Sequence, residues 1–220
     1  MAVKLLISGL ANSGKTSLTK DLKDVLVISH DGKNYPYKTP HVLVTTFDTT
    51  AELIELITEK MVIYKERFGK YPSTVVFDSV SKIFDTLNDS CNRRFTGFKI
   101  YSELNSEVTA FTYFIQNSLV ASDINVVIIS HAIYDSEETK YNLVGKGDFQ
   151  KRGGFLADVD QAIFIETKAN KRILHFRSTK FPARTLLESD PESMPVEDFN
   201  LTDYLSVLNQ NHSSVEEFSL

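Results

Sequence analysis

The chain has 220 residues, of which 42% are hydrophobic and 24% charged, with a net charge of -5. That is the profile of one folded domain with room for a real core, and it argues against disordered and fibrous classes. A single cysteine, Cys91, excludes an internal disulfide and a CxxC zinc site, and reads as a small core residue.

In chain order, short β-branched runs alternate with longer amphipathic stretches. Residues 3–8 read as a strand, 14–22 as a short helix, 25–29 as a second strand and 42–47 as a third. Asp48 or Thr49 is placed to cap a helix running to about residue 64. Residues 73–77 and 125–129 are near-continuous apolar runs, as parallel strands buried on both faces require. Helical patterns lie between them at 80–87 and 103–119. Residues 161–165 and 172–176 read as an antiparallel hairpin at a sheet edge, turning through 168–171. The alternation implies a three-layer α/β fold with a mostly parallel sheet. The first apolar run is too short for a signal peptide or a membrane span, so the expected location is cytoplasmic, with no membrane partner.

Charge is unevenly distributed. No Lys or Arg follows Arg184, while eight acids do. A stretch of -8 in a chain of -5 leaves residues 1–184 at +3, which is compatible with a nucleic-acid partner. The expected organisation is therefore a core over residues 1–187 and an acidic tail over 188–220, carrying at most a short helix. Such a tail either solvates the protein or competes with DNA for a basic groove.

Gly9-Leu10-Ala11-Asn12-Ser13-Gly14-Lys15-Thr16, followed by Ser17, matches G-x-x-x-x-G-K-[ST] between an apolar strand and a predicted helix. In that pattern glycines allow close backbone approach and loop N–H groups cradle phosphates. The lysine reaches the β- and γ-phosphates, and the Thr16 hydroxyl is a ligand for Mg2+. The implied cofactors are ATP and Mg2+. Asp78, ending the strand TVVF, is the carboxylate placed to hold a Mg2+ water, directly or through Thr16; the other reading, compatible with the first, is a cap of the next helix, for which Ser79 competes.

GLANSGKT, a strand ending VVFDS, then VVIISH and a late STKFPAR together resemble the RecA-like ATPases. Within them the chain is most similar to the small phage-encoded RecA-like proteins of single-strand annealing and recombination, over about residues 3–184. The resemblance implies ATP hydrolysis, single-stranded DNA as partner, homo-oligomeric rings or filaments, and other recombination proteins nearby. It also implies a catalytic glutamate after the second strand. Here Asp31 is the nearest carboxylate, one methylene shorter, and Asp31-Gly32 is also an ordinary turn dipeptide. His131 falls where relatives sense the γ-phosphate, or simply ends its strand. Lys180 and Arg184 fall where a basic pair reaches a neighbouring subunit's ATP, or form a solvated pair near Glu188.

Two segments mix cations, glycine and aromatic rings: Arg93, Arg94, Phe98 and Lys99 in one, Lys146, Phe149, Lys151 and Arg152 in the other. Both are candidates for contacting phosphates and stacking on bases, the alternative being core phenylalanines with solvated cations. The phosphate loop alone is also compatible with a nucleotide or small-molecule kinase, or with a nucleotide-gated binding module of little turnover.

Overall fold

The computed structural model describes residues 2–32 and 35–216. Its centre is a nine-stranded sheet whose main path runs β3-β2-β4-β5-β1-β7-β8-β9. These strands are β1 (Lys4–Gly9), β2 (Val25–Ser29), β3 (His41–Leu43), β4 (Thr74–Asp78), β5 (Asn125–Asp135), β7 (Gln161–Lys168), β8 (Lys171–His175) and β9 (Ser193–Pro195). A short β6 (Lys140–Leu143) pairs with the far half of β5 as a hairpin. The six strands from β3 to β7 are mutually parallel, and β8 and β9 are antiparallel additions. This is the expected three-layer α/β architecture with its late hairpin. The hairpin is not the edge, because β9 pairs outside it.

Side-chain alternation sorts the core into two layers. Leu6, Ile28, Phe77 and Ile128 face α1 (Thr50–Phe68), α2 (Val80–Arg94) and α3 (Phe98–Phe114). Ile7, Val27, Val76, Ile129 and Ile163 face the opposite way. Thr49 caps α1 through its side chain, accepting from the Glu52 N–H, and Gly69 ends it at φ 78°. Beyond α3 the chain tightens through a π turn at Ile115–Leu119 before entering β5.

The second face is covered by a surprise of the acidic segment. Residues 188–220, expected as an acidic tail with at most a short helix, supply β9 and α6 (Leu201–Glu216). Leu201, Leu205 and Leu208 are buried against the sheet beside Leu174 and Phe176. The Tyr204 hydroxyl donates to the Asp190 carboxylate at 2.5 Å and accepts from the Gln161 amide, so the helix is tied back to β7. Glu188, Glu192, Glu197, Asp198 and Asp203 are exposed, while Asp190 turns inward to this tie. Glu217 falls outside the described residues.

The helix expected over residues 14–22 is replaced by a 3-10 turn, Thr16–Thr19. The four residues of that turn rise only about 8 Å, and the chain crosses to Val25 through irregular turns at residues 20–24.

Candidate nucleotide site

The parallel register brings the predicted residues to one edge of the sheet. Gly9 is level with His131 on one side and Ile165 on the other, while Asp78 is level with Ser29 and Ile129. These are the carboxyl ends of the strands, where open α/β sheets bind ligands. From Gly9 the chain turns through Asn12 (φ 62°) and Gly14 (φ 92°), both left-handed. A side chain is excluded at Gly9 on packing grounds, since a Cβ there would stand 2.6 Å from Ser13 Oγ and 2.8 Å from the Ile165 carbonyl oxygen. With only a 3-10 turn behind it, the loop must rely on its own N–H groups for anion binding rather than on a long helix dipole.

Lys15 is buried, and its ammonium donates to the carbonyls of Gly9 at 3.0 Å and Leu10 at 2.7 Å. Burial lowers its pKa to about 8, opposed by the nearby Asp78 carboxylate. The Thr16 hydroxyl donates to Asp78 Oδ2 at 2.6 Å. A hydroxyl and one carboxylate are the hard oxygen donors that Mg2+ takes from a protein when phosphate and water complete its shell. Among the described residues no group of three or more His, Cys, Asp or Glu forms a closed metal cage. Ser13 Oγ in the loop and Ser79 Oγ beside Asp78 are buried with no hydrogen-bond partner among the described residues, which suits groups awaiting phosphate or metal-bound water. The residues present therefore fit Mg2+ with a phosphate-bearing ligand.

Around this centre, the His30 N–H donates to the Asp78 carbonyl at 2.7 Å, so Asp31 emerges one residue from the metal-ligand segment, at the surface. The His30 ring is buried, with Nδ1 on the Val44 carbonyl and Nε2 at 2.9 Å from Thr86 Oγ1. Desolvation lowers its pKa to about 4, against the attraction of Asp31, so it is neutral near pH 7. The His131 N–H donates to Ser81 Oγ at 3.0 Å, and Ser81 and Ser130 hydroxyls meet at 3.2 Å, joining β5 to the start of α2.

The other predicted residues lie elsewhere. Arg184 forms a backbone bridge with Ala162, which is level with Leu6, about 10 Å down the strand from the carboxyl edge. Lys180 stands over the rings of Tyr141 and Phe181. Of the nucleic-acid candidates, Arg93 pairs with Asp48 at 2.6 Å, Arg94 with Glu107 at 3.2 Å, Lys146 with Asp85 at 3.2 Å and Lys151 with Asp148 at 3.1 Å. Phe149 packs between Phe84 and Phe155. Phe98, 93% exposed, Lys99 and Arg152 are at the surface. The long connection expected after His131 is instead the β5–β6 hairpin followed by two short helices, Gly147–Lys151 (α4) and Gly154–Asp158 (α5).

Two groups at the site escaped the sequence reading. Arg172, on β8, lies against the loop: a Cβ on Gly14 would stand 2.8 Å from its Nη1 and 3.1 Å from its Cζ. The basic cluster at the hairpin tip, Lys168, Lys171 and Arg172, was its only sequence signal. Tyr37 donates its hydroxyl to the Thr16 carbonyl at 2.8 Å, from an aromatic and proline-rich stretch, Tyr35-Pro36-Tyr37, between β2 and β3.

A search of curated proteins returns no match. No helix among the described residues is long and apolar enough to cross a membrane. A family model described as an AAA domain matches residues 1–185. With a phosphate loop at the carboxyl edge of a mostly parallel sheet and a match over most of its length, the chain belongs to this AAA-domain family of P-loop ATPases.

Proposed function

We propose that this P-loop ATPase is a Mg2+-dependent, ATP-hydrolysing protein that acts on single-stranded DNA in recombination or strand annealing. The observation that carries the nucleotide part is the 2.6 Å contact between Thr16 and Asp78 beside the buried Lys15. Mg2+, when bound, neutralises developing phosphate charge. Thr16 would hold it and Asp78 would orient a water on it, while Lys15, now bonded to two carbonyls, would pair with the β- and γ-phosphates. Asp31 is the carboxylate that would orient attacking water, and its short reach implies slow turnover.

The DNA part rests on the resemblance to RecA-like proteins of single-strand annealing, which also motivates a ring or filament. In such an assembly Lys180 and Arg184, both exposed, act on a neighbour's nucleotide rather than their own. The test is ATP hydrolysis by the full chain with and without oligo-dT, using Lys15→Ala as blank. Stimulation that is absent in the blank supports the reading. Turnover indifferent to DNA would reject the DNA part and leave the ATPase standing.

A further inference from the structure

A cavity of about 890 Å³ lies away from the phosphate edge, between the Tyr35–Val42 stretch and the C-terminal half of α1. Rings form much of its wall: Tyr35 and Tyr37 on one side, Tyr64 and Phe68 on the other. Tyr35 also stacks on His41, with ring centroids 5.4 Å apart and planes 20° from parallel. Lys38, Lys60 and Arg67 complete the lining, and no Asp or Glu is among the described residues that line it. Glu59, beside Lys60 on the same helix, pairs with it at 2.7 Å. On a chain of net -5, an acid-free cavity with three cations and four rings is a local reversal of the surface charge.

We propose that this cavity binds a stretch of single-stranded DNA, and that Tyr37 couples its occupancy to the phosphate loop; the inference rests on the function proposed above. Aromatic faces offer stacking to unpaired bases, which a duplex hides. Lys60 and Arg67 are seven residues apart on α1, about 10 Å along its axis, too far for one phosphate to serve both but suited to successive phosphates of a strand. Four of the six cations among the sequence-derived candidates are held by acids, whereas of the three cavity cations only Lys60 is in an ion pair among the described residues.

The coupling follows from which ends of the tyrosines face which site. Their rings line the cavity, while their hydroxyls are anchored on the phosphate-loop turn. Tyr37 donates to the Thr16 carbonyl at 2.8 Å, its oxygen lies 3.1 Å from the Tyr35 hydroxyl, and it also touches the Thr19 hydroxyl. A strand that shifts the Tyr37 ring therefore moves the residue whose hydroxyl meets Asp78. By linkage, nucleotide bound at Thr16 changes DNA affinity by the same factor.

The experiment is fluorescence anisotropy of labelled oligo-dT with the full-length protein, with and without ATP and Mg2+, across a salt series. The charge reversal Lys60→Glu with Arg67→Glu should weaken binding about tenfold or more and flatten the salt slope by about 1.4. Lys99→Glu with Arg152→Glu should leave it unchanged. Tyr37→Phe, which keeps the ring and loses the bond to Thr16, should bind oligo-dT normally but lose the ATP-dependent change in affinity. Thermal melts establish that each variant is folded. Wild-type binding retained by the Lys60 and Arg67 variant sinks this site alone. No binding of oligo-dT by the wild type sinks the DNA function and the site together. Equal affinity for dTMP and oligo-dT would overturn the strand as occupant, and an unaltered ATP response in Tyr37→Phe would overturn the coupling.

Discussion

The hydroxyl of Thr16 meets the carboxylate of Asp78 at 2.6 Å across sixty-two residues of sequence. Neither residue is unusual alone, and it is their meeting at the mouth of the loop that underlies the Mg2+ role proposed above. Thr16→Ala and Asp78→Asn should each lower Mg2+-dependent ATP affinity and abolish most turnover, while Thr16→Ser should keep both. Titration of nucleotide binding with and without EDTA separates this from misfolding, since metal-independent binding should change little.

Lys15 gives a pH signature. Its pKa in the free protein is about 8, below the ordinary 10.5, and phosphate beside it raises that value on binding. Above pH 8 the free side chain has lost its proton and the bound one has regained it. Binding then takes up a proton, and affinity falls as pH rises, by at most about tenfold per unit. Calorimetry in buffers of different ionisation enthalpy should show proton uptake at pH 9 and little at pH 7. Equal uptake at both would contradict the assignment.

Arg172 is a second cation on the loop, and its planar fork matches phosphate better than a lysine does. Arg172→Ala should lower affinity for ADP and ATP about ten- to a hundredfold, with Arg172→Lys between. Arg172→Met, which preserves contact with Gly14, should behave like the alanine variant. Recovery of wild-type affinity in Arg172→Met would reduce the side chain to a cover over Gly14.

His30 is buried and neutral, with its pKa lowered from 6.5 to about 4. The unfolded chain therefore binds a proton that the folded one refuses between those values. Its contribution to stability is complete above pH 6.5 and is lost as pH falls through 4, on the order of 2 kcal/mol once solvent screening is allowed for. Urea melts of the wild type should lose stability over that interval, and His30→Gln should flatten the dependence.

Local pattern made much of this protein legible. The phosphate loop is written in eight consecutive residues, and the apolar run at 125–129 announces a central strand because it is buried on both faces. What escaped depends on partners far away in sequence. Arg93 looks available for DNA until Asp48, forty-five residues earlier, arrives beside it. Arg172 becomes a phosphate-loop residue only when β8 folds back on β7. The leucines at 201, 205 and 208 carry helical spacing, but eight acids drew attention to charge and away from the apolar stripe beneath.

That stripe has a consequence for how the chain comes to be folded during synthesis. β1, the first strand made, has no neighbour until β5 and β7 exist, and its second face has no helical cover until α6 arrives. A bond from Thr202 to the Asp21 carbonyl closes a separation of 181 residues. Contacts of such span are slow to form, so the second layer of the core closes only after the strands that carry the nucleotide site have been made. A nascent chain halted at residue 185, where the family match ends, would expose Ile7, Val27, Val76 and Ile129 to water, a natural client surface for chaperones.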